Sequence, residues 1–181
     1  MTDRADLWVV LLRGINVNPS TRVAMADLRA LLVVLGYEDV RTLLQSGNVL
    51  LTSKSRPAVP AIEAAIASET GVKSKVVVLS ICEFRAIASE NPLLETYDDL
   101  SKMVITFLDQ DVVPGNVDRP SEADLAPELL VVTKRALYQW FPDGVLKSAL
   151  KPAWYRQFGS TLTARNVRTV NRILDAAGSG N

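Results

Sequence analysis

An α+β fold is predicted by three features of the sequence. Strand-like and helix-like segments follow one another as β-α-β-β-α-β over residues 7 to 79, the order of a ferredoxin-like split βαβ unit. A similar order, β-α-β-β-α-α, returns beyond residue 100, so the second half reads as a diverged repeat in element order but not in sequence. The 181-residue chain is 48% hydrophobic, which places it well clear of disorder and gives it enough apolar side chains for a substantial core.

Each element has a local cause. Leu7 to Leu12 (LWVVLL) is apolar at both parities, the pattern of a central strand covered on both faces. From Ala24 to Leu35, the spacing of Met25, Leu28, Leu32 and Leu35 lines one helical face, and Gly36 ends it. Val40 to Leu44 and Val49 to Thr52 are short strands around Gln45-Ser46-Gly47-Asn48, where Ser-Gly offers a two-residue hairpin turn. A second helix runs from Val59 to Thr70, with Pro57 and Pro60 at its start and Gly71 as its left-handed cap. Lys75 to Leu79 is the next strand. Ser80 and Glu83 form a capping box for a linking helix that buries Ile81, Phe84 and Ile87 and ends before Asn91-Pro92. Beyond it come a strand (Met103 to Leu108), a polar stretch with one helical turn near Ser121 to Leu125, and a hairpin (Leu129 to Val132, Leu137 to Phe141). Helical pieces and a last amphipathic helix, Ala164 to Ala177, complete the chain. The expected organisation is a ferredoxin-like half (1–79), a linking helix and loop (80–100) and a second α+β half (101–181), packed as one unit.

Composition removes whole classes of chemistry. Histidine is absent and Cys82 is the single cysteine, so Ser-His-Asp and Cys-His nucleophile systems, disulfides and most zinc ligand sets are excluded. Neither a phosphate-loop nor a dinucleotide fingerprint occurs. No cofactor and no resident metal are expected. The opening places acids before a six-residue apolar run, too short for a signal core or a bilayer span, so the expected location is cytoplasmic with no membrane partner. Oligomeric state is left open.

Topology gathers polar residues at one sheet edge. In a split βαβ unit the first two strands point the same way, so Arg13-Gly14-Ile15-Asn16 and the hairpin Gln45 to Asn48 emerge together, strands being only about 5 Å apart. The first helix also starts there, bringing unpaired N–H groups and partial positive charge. Arg13, Asn16, Gln45, Ser46 and Asn48 are therefore candidate ligands for a phosphate or carboxylate. A structural reading stands beside this one: Gly14 and Asn16 permit unusual backbone angles, and Gln45 and Asn48 satisfy loop groups.

The segments LLRGINV (11–17), VRTLLQSGNVLLTS (40–53) and TARNVRTVNRIL (163–174), with Met25, Asn91-Pro92 and YQWFPDG (138–144), resemble the bacterial domain-of-unknown-function family 1697 over residues 7 to 174. That resemblance implies an α+β fold without an assigned reaction. The family's Arg-Gly-Ile-Asn pattern falls on Arg13 to Asn16, its Gln-Ser-Gly-Asn pattern on Gln45 to Asn48, and its Arg-Asn pair on Arg165 and Asn166, which join the candidate site. The chain departs from the family at Asn18-Pro19, where a Gly-Gly-like loop is usual, and at Val167-Arg168, where Trp-Asn is usual.

Three function classes follow. The first is a binding module for an anionic small molecule, a nucleotide or a nucleic acid, using the polar loops and a basic stripe of Arg165, Arg168 and Arg172 on the last helix. The second is metal-dependent phosphoryl or nucleotidyl transfer through Asp109 and Asp111 at a strand end, although Pro114-Gly115 makes a plain turn the simpler reading. The third is an interaction protein that dimerises through exposed members of the set Trp8, Trp140, Phe141, Trp154, Tyr155 and Phe158. Formal charge is zero overall, but residues 90–128 hold 10 acids and 2 bases while residues 129–174 hold 8 bases and 1 acid. The neutrality is a cancellation between segments.

Overall fold

The computed structural model describes residues 5–159 and 161–178. It divides into two compact units, Met1–Arg85 with Arg172–Asn181, and Ala86–Asn171. The chain leaves the first unit within one helix and returns within another.

The first unit contains β1 (Asp6–Leu12), α1 (Met25–Val34), β2 (Glu38–Leu43), β3 (Asn48–Ser53), α2 (Val59–Thr70) and β4 (Val76–Ser80). Its sheet order is β2-β3-β1-β4, with every neighbouring pair antiparallel, which is the predicted split βαβ topology. β1 is central, and Val9 to Leu12 are all fully buried, as apolarity at both parities requires. On one face Val10, Leu12, Val49, Leu51, Val76 and Val78 meet Leu28, Leu31 and Leu32 of α1 and Ile62 and Ile66 of α2. Burying each such side chain stabilises the fold by roughly 1.5–3 kcal/mol. Gly71 closes α2 at φ +71°, the left-handed cap read from the sequence.

The hairpin differs from expectation. Instead of a two-residue Ser46-Gly47 turn, Leu43 pairs with Asn48 and a four-residue loop, Leu44 to Gly47, joins β2 to β3. Asn48 is drawn into the strand because its side chain is fully buried, donating to the Leu43 carbonyl at 2.9 Å and to Ser46 Oγ at 2.9 Å. α3 (Ile81–Ser89) then opens on the predicted capping box: Glu83 N donates to Ser80 Oγ at 3.2 Å, and Ser80 N donates to Glu83 Oε2 at 2.7 Å.

The second unit contains β5 (Met103–Leu108), α4 (Glu122–Leu125), β6 (Leu129–Val132), β7 (Ala136–Trp140) and β8 (Leu162–Asn166), followed by α5 (Val167–Gly178), which runs on into the first unit. Its sheet order, β6-β7-β5-β8, repeats that of the first unit strand for strand. β8 corrects the sequence reading, which placed residues 164–166 in the last helix and left this half one strand short. Arg165 and Thr163 are buried on one side of β8, so its inward side chains are polar and give no apolar alternation. Within this unit Leu108, Val132, Leu137, Phe158 and Leu162 form a core against which Trp154 and Tyr155 pack, the Trp154 and Phe158 rings meeting edge to face at 5.1 Å. Phe141 is buried too, and the half-buried Trp140 stacks on Tyr97 at 4.2 Å. No helix among the described residues is long and apolar enough to cross a membrane.

Candidate functional site

The two loops predicted to meet are joined by one side chain. Asn16, at φ +54°, donates through Nδ2 to the Gln45 carbonyl at 2.7 Å and to the Val23 carbonyl at 3.0 Å, while its Oδ1 accepts from Val23 N at 2.8 Å. Backbone bonds fix the same edge: Leu12 N donates to Gly47 O at 2.8 Å and Arg13 N to Lys75 O at 2.8 Å, with Ser74 Oγ donating to Arg13 O at 2.9 Å. Gly47, at φ +77°, has no room for a side chain; a Cβ there would stand 2.8 Å from both Leu12 Cβ and Ile15 Cδ1. The loop conformations are thus set by packing and hydrogen bonds within the unit.

This bonding sorts the predicted residues. Asn16 and Asn48 spend their amides on the fold, and Ser46 accepts from Asn48. Arg13 and Gln45 are exposed. After Asn16 the chain forms a 3₁₀ turn, Pro19–Thr21, capped by Asn18 Oδ1, which accepts from Ser20 N at 3.0 Å and Thr21 N at 3.1 Å. Proline at its start stiffens this loop. The turn delivers Arg22 to an open recess of about 370 Å³ lined by Asn16, Asn18, Pro19, Arg22 and Gln45. Arg22 was not singled out in the sequence, and only the position of the 3₁₀ turn reveals it.

The start of α1 contributes less than expected. Its N-cap, Ala24, has no capping side chain, and Asp27 already places negative charge in the first turn. Two exposed apolar residues flank the junction: Val17, 72% exposed, follows Asn16, and Leu44, 39% exposed, precedes Gln45. Leu44 stands at φ +60°, left-handed backbone that costs a leucine about 1–2 kcal/mol.

Arg165 and Asn166 belong to the second unit. Arg165 lies in β8, buried, with Nη1 donating to Thr163 Oγ1 and to the Ala164 carbonyl at 2.8 Å each; burial pulls its guanidinium down to about 10, still a cation near neutrality. Asn166 Oδ1 accepts from Thr169 N at 2.9 Å and caps α5. With Arg165 in a strand, the three-arginine helical stripe does not form; Arg168 and Arg172 remain as exposed residues of α5.

The corresponding edge of the second unit carries the same tie with different residues. Leu108 N donates to Arg135 O at 3.1 Å and Asp109 N to Thr161 O at 3.4 Å, matching the Leu12 and Arg13 bonds. Asp111 plays the part of Asn16: it meets Lys134 Nζ at 2.8 Å and Arg135 Nε at 3.5 Å across the β6–β7 hairpin. Hydrogen bonding to Lys134 holds the Asp111 carboxyl below the usual carboxylate range. Its charge is met by cations, so Asp111 has the construction of a loop tie, and no group of three or more metal-ligating side chains occurs among the described residues. A larger cleft of about 860 Å³ in the first unit borders Asp39, Arg41, Thr52 and Arg85, but Arg41 Nη1 donates to Ala176 O at 2.8 Å and Thr52 Oγ1 to Asp39 Oδ2 at 3.2 Å.

Comparison with known proteins places the fold and the family. The conserved bacterial protein SP0830 from Streptococcus pneumoniae is similar in structure, with a TM-score of 0.72 and 25% sequence identity over 97% of this chain and 99% of that one. No curated protein matches. The pattern of the family described as "Protein of unknown function (DUF1697)" matches residues 6–138, which include both loops of the candidate site and the Asp109–Asp111 segment. The chain belongs to the DUF1697 family.

Proposed function

We propose that the protein is a binding module for an anion, a phosphate or carboxylate group presented by a larger ligand, at the edge formed by the Arg13–Asn16 loop and the Leu44–Asn48 hairpin. The observation that carries this reading is the Asn16 bridge. It fixes the two loops together at 2.7 Å and leaves Arg22 and Gln45 lining an open recess, with exposed Arg13 in the same loop pair. Arginine suits the task because its planar fork pairs with two oxygens of one anionic group, and a loop already rigid before binding loses little entropy. Asn16, Asn48 and Ser46 act here as the frame, and Arg13, Arg22 and Gln45 as the contacting groups.

The test is a fluorescence-anisotropy series with short DNA, RNA, a nucleotide panel and acidic peptides at two salt concentrations. At least one of these anions is expected to bind, more weakly at higher salt, and Arg22→Ala is expected to weaken it about tenfold. Salt-independent binding, or binding indifferent to both Arg13→Ala and Arg22→Ala, overturns the reading.

A further inference from the structure

The two sheets end in four edge strands, β2 and β4 in the first and β6 and β8 in the second. Three of these edges are guarded. β2 carries exposed Glu38 and Asp39 and a register shift before Arg41. On β4 side chains take the outward backbone groups: Glu63 Oε1 accepts from Val76 N at 3.0 Å, Arg56 Nη2 donates to Val78 O at 2.7 Å, and Glu83 Oε2 accepts from Ser80 N at 2.7 Å. On β8 Arg165 Nη1 holds the Ala164 carbonyl at 2.8 Å.

β6, Leu-Leu-Val-Val, has no charge, proline or register shift. Thr133 N donates to Ala136 O at 2.9 Å, so Val131–Tyr138 and Leu129–Trp140 are the hydrogen-bonded pairs further along this hairpin. The N–H and C=O of Leu130 and Val132 therefore point away from β7. No hydrogen bond from the described residues reaches these four groups, although both side chains pack into the core of the unit.

We infer that this edge pairs with β6 of a second copy of the chain, antiparallel about a two-fold axis, Leu130 opposite the partner's Val132. In this register all four outward groups of each strand are satisfied by the other. The same register sets Glu128, just before the strand, against Lys134, just after it, at both ends of the contact. The Glu128 carboxylate accepts only from neutral donors, Ser148 Oγ and Ala149 N at 2.7 Å each, and Lys134 with Arg135 outnumbers Asp111 at the hairpin tip. On the partly exposed flank, Val131 meets its own counterpart and Leu129 meets the partner's Thr133. One strand pair is a small interface, so the association is weak and concentration-dependent.

The experiment is sedimentation equilibrium of the full chain from about 1 to about 200 μM, with three variants beside it. The mass is expected to rise from monomer toward dimer, and Val131→Lys, which sets two like charges face to face, to weaken association about tenfold or more. In a Cys82→Ser background, Val131→Cys is expected to oxidise to a disulfide-linked dimer, because a non-hydrogen-bonded pair holds its Cα atoms about 4.5 Å apart. Leu129→Cys, which this register places opposite Thr133, is expected to stay monomeric on oxidation. Should Val131→Lys fail to fold, the two cysteine variants decide the question. A monomer at every concentration, including one whose β6 amides respond only to an added extended peptide, overturns the inference. So does a dimer indifferent to Val131→Lys, or one in which Leu129→Cys cross-links as readily as Val131→Cys.

Discussion

Single residues decide how the loop edge is built, and Gly47 is the clearest case. Its φ of +77° disfavours any side chain, and a Cβ would press on Leu12 and Ile15 at 2.8 Å. Gly47→Ala is therefore expected to destabilise the protein by about 3 kcal/mol, read as a lower urea midpoint with an unchanged slope. Asn16 tests the tie itself. Asn16→Gly keeps a residue at ease with φ +54° while deleting the bonds to Val23 and Gln45, leaving the buried Val23 N–H without that acceptor. The expected loss is about 2–3 kcal/mol, with faster amide exchange at Val23 and in the 44–47 hairpin. Both residues could be read as loop formers from sequence, since glycine and asparagine are the types that tolerate left-handed backbone. Leu44 could not: nothing in its type announces such a conformation, which the hairpin register imposes. Arg22 was equally hidden, because its place at the recess depends on the Asn18-capped 3₁₀ turn and not on any spacing.

At the scale of elements, β1, both helices of the first unit and the Ser80–Glu83 box were legible because each carries its own signal, an apolar run, a period near 3.6 or a capping pair. β8 lacked one. Beside Leu162, its buried positions are Thr163 and Arg165, which are satisfied by hydrogen bonding, as Arg165 Nη1 to Thr163 Oγ1 shows, and hydropathy alternation is lost. The repeated element order held the missing clue, since a second split βαβ unit needs a fourth strand at that point. β7 carries a testable consequence of the same polar interior. Tyr138 is buried with its hydroxyl donating to the Ile87 carbonyl at 2.7 Å, and burial, reinforced by the charge of Glu90, raises its pKa to about 12. A phenol whose folded pKa lies above its unfolded value near 10 favours folding fully below pH 10, and that contribution is lost as pH rises from 10 toward 12. In an ultraviolet titration the phenolate missing from the Tyr138→Phe variant is expected to be one that appears only near pH 12, whereas all tyrosines of the urea-unfolded chain ionise near 10. Ionisation of Tyr138 at pH 10 in the folded chain would contradict its burial.

On the scale of the whole molecule, each unit ties its first-strand exit to its central hairpin in the same way. The first uses a neutral asparagine and leaves arginines exposed; the second uses an aspartate already paired with Lys134 and Arg135. One sheet order thus carries two electrostatically different edges, and the zero net charge conceals them. That contrast is why we place the proposed anion site in the first unit. The most direct measurement is a ¹H–¹⁵N correlation spectrum of the full chain titrated with an acidic peptide of the anisotropy series at low salt. Shifts are expected to concentrate in residues 13–23 and 44–47 and to fade as salt rises. Shifts centred instead on Arg168 and Arg172 of α5, or on the 109–111 loop of the second unit, would contradict the account.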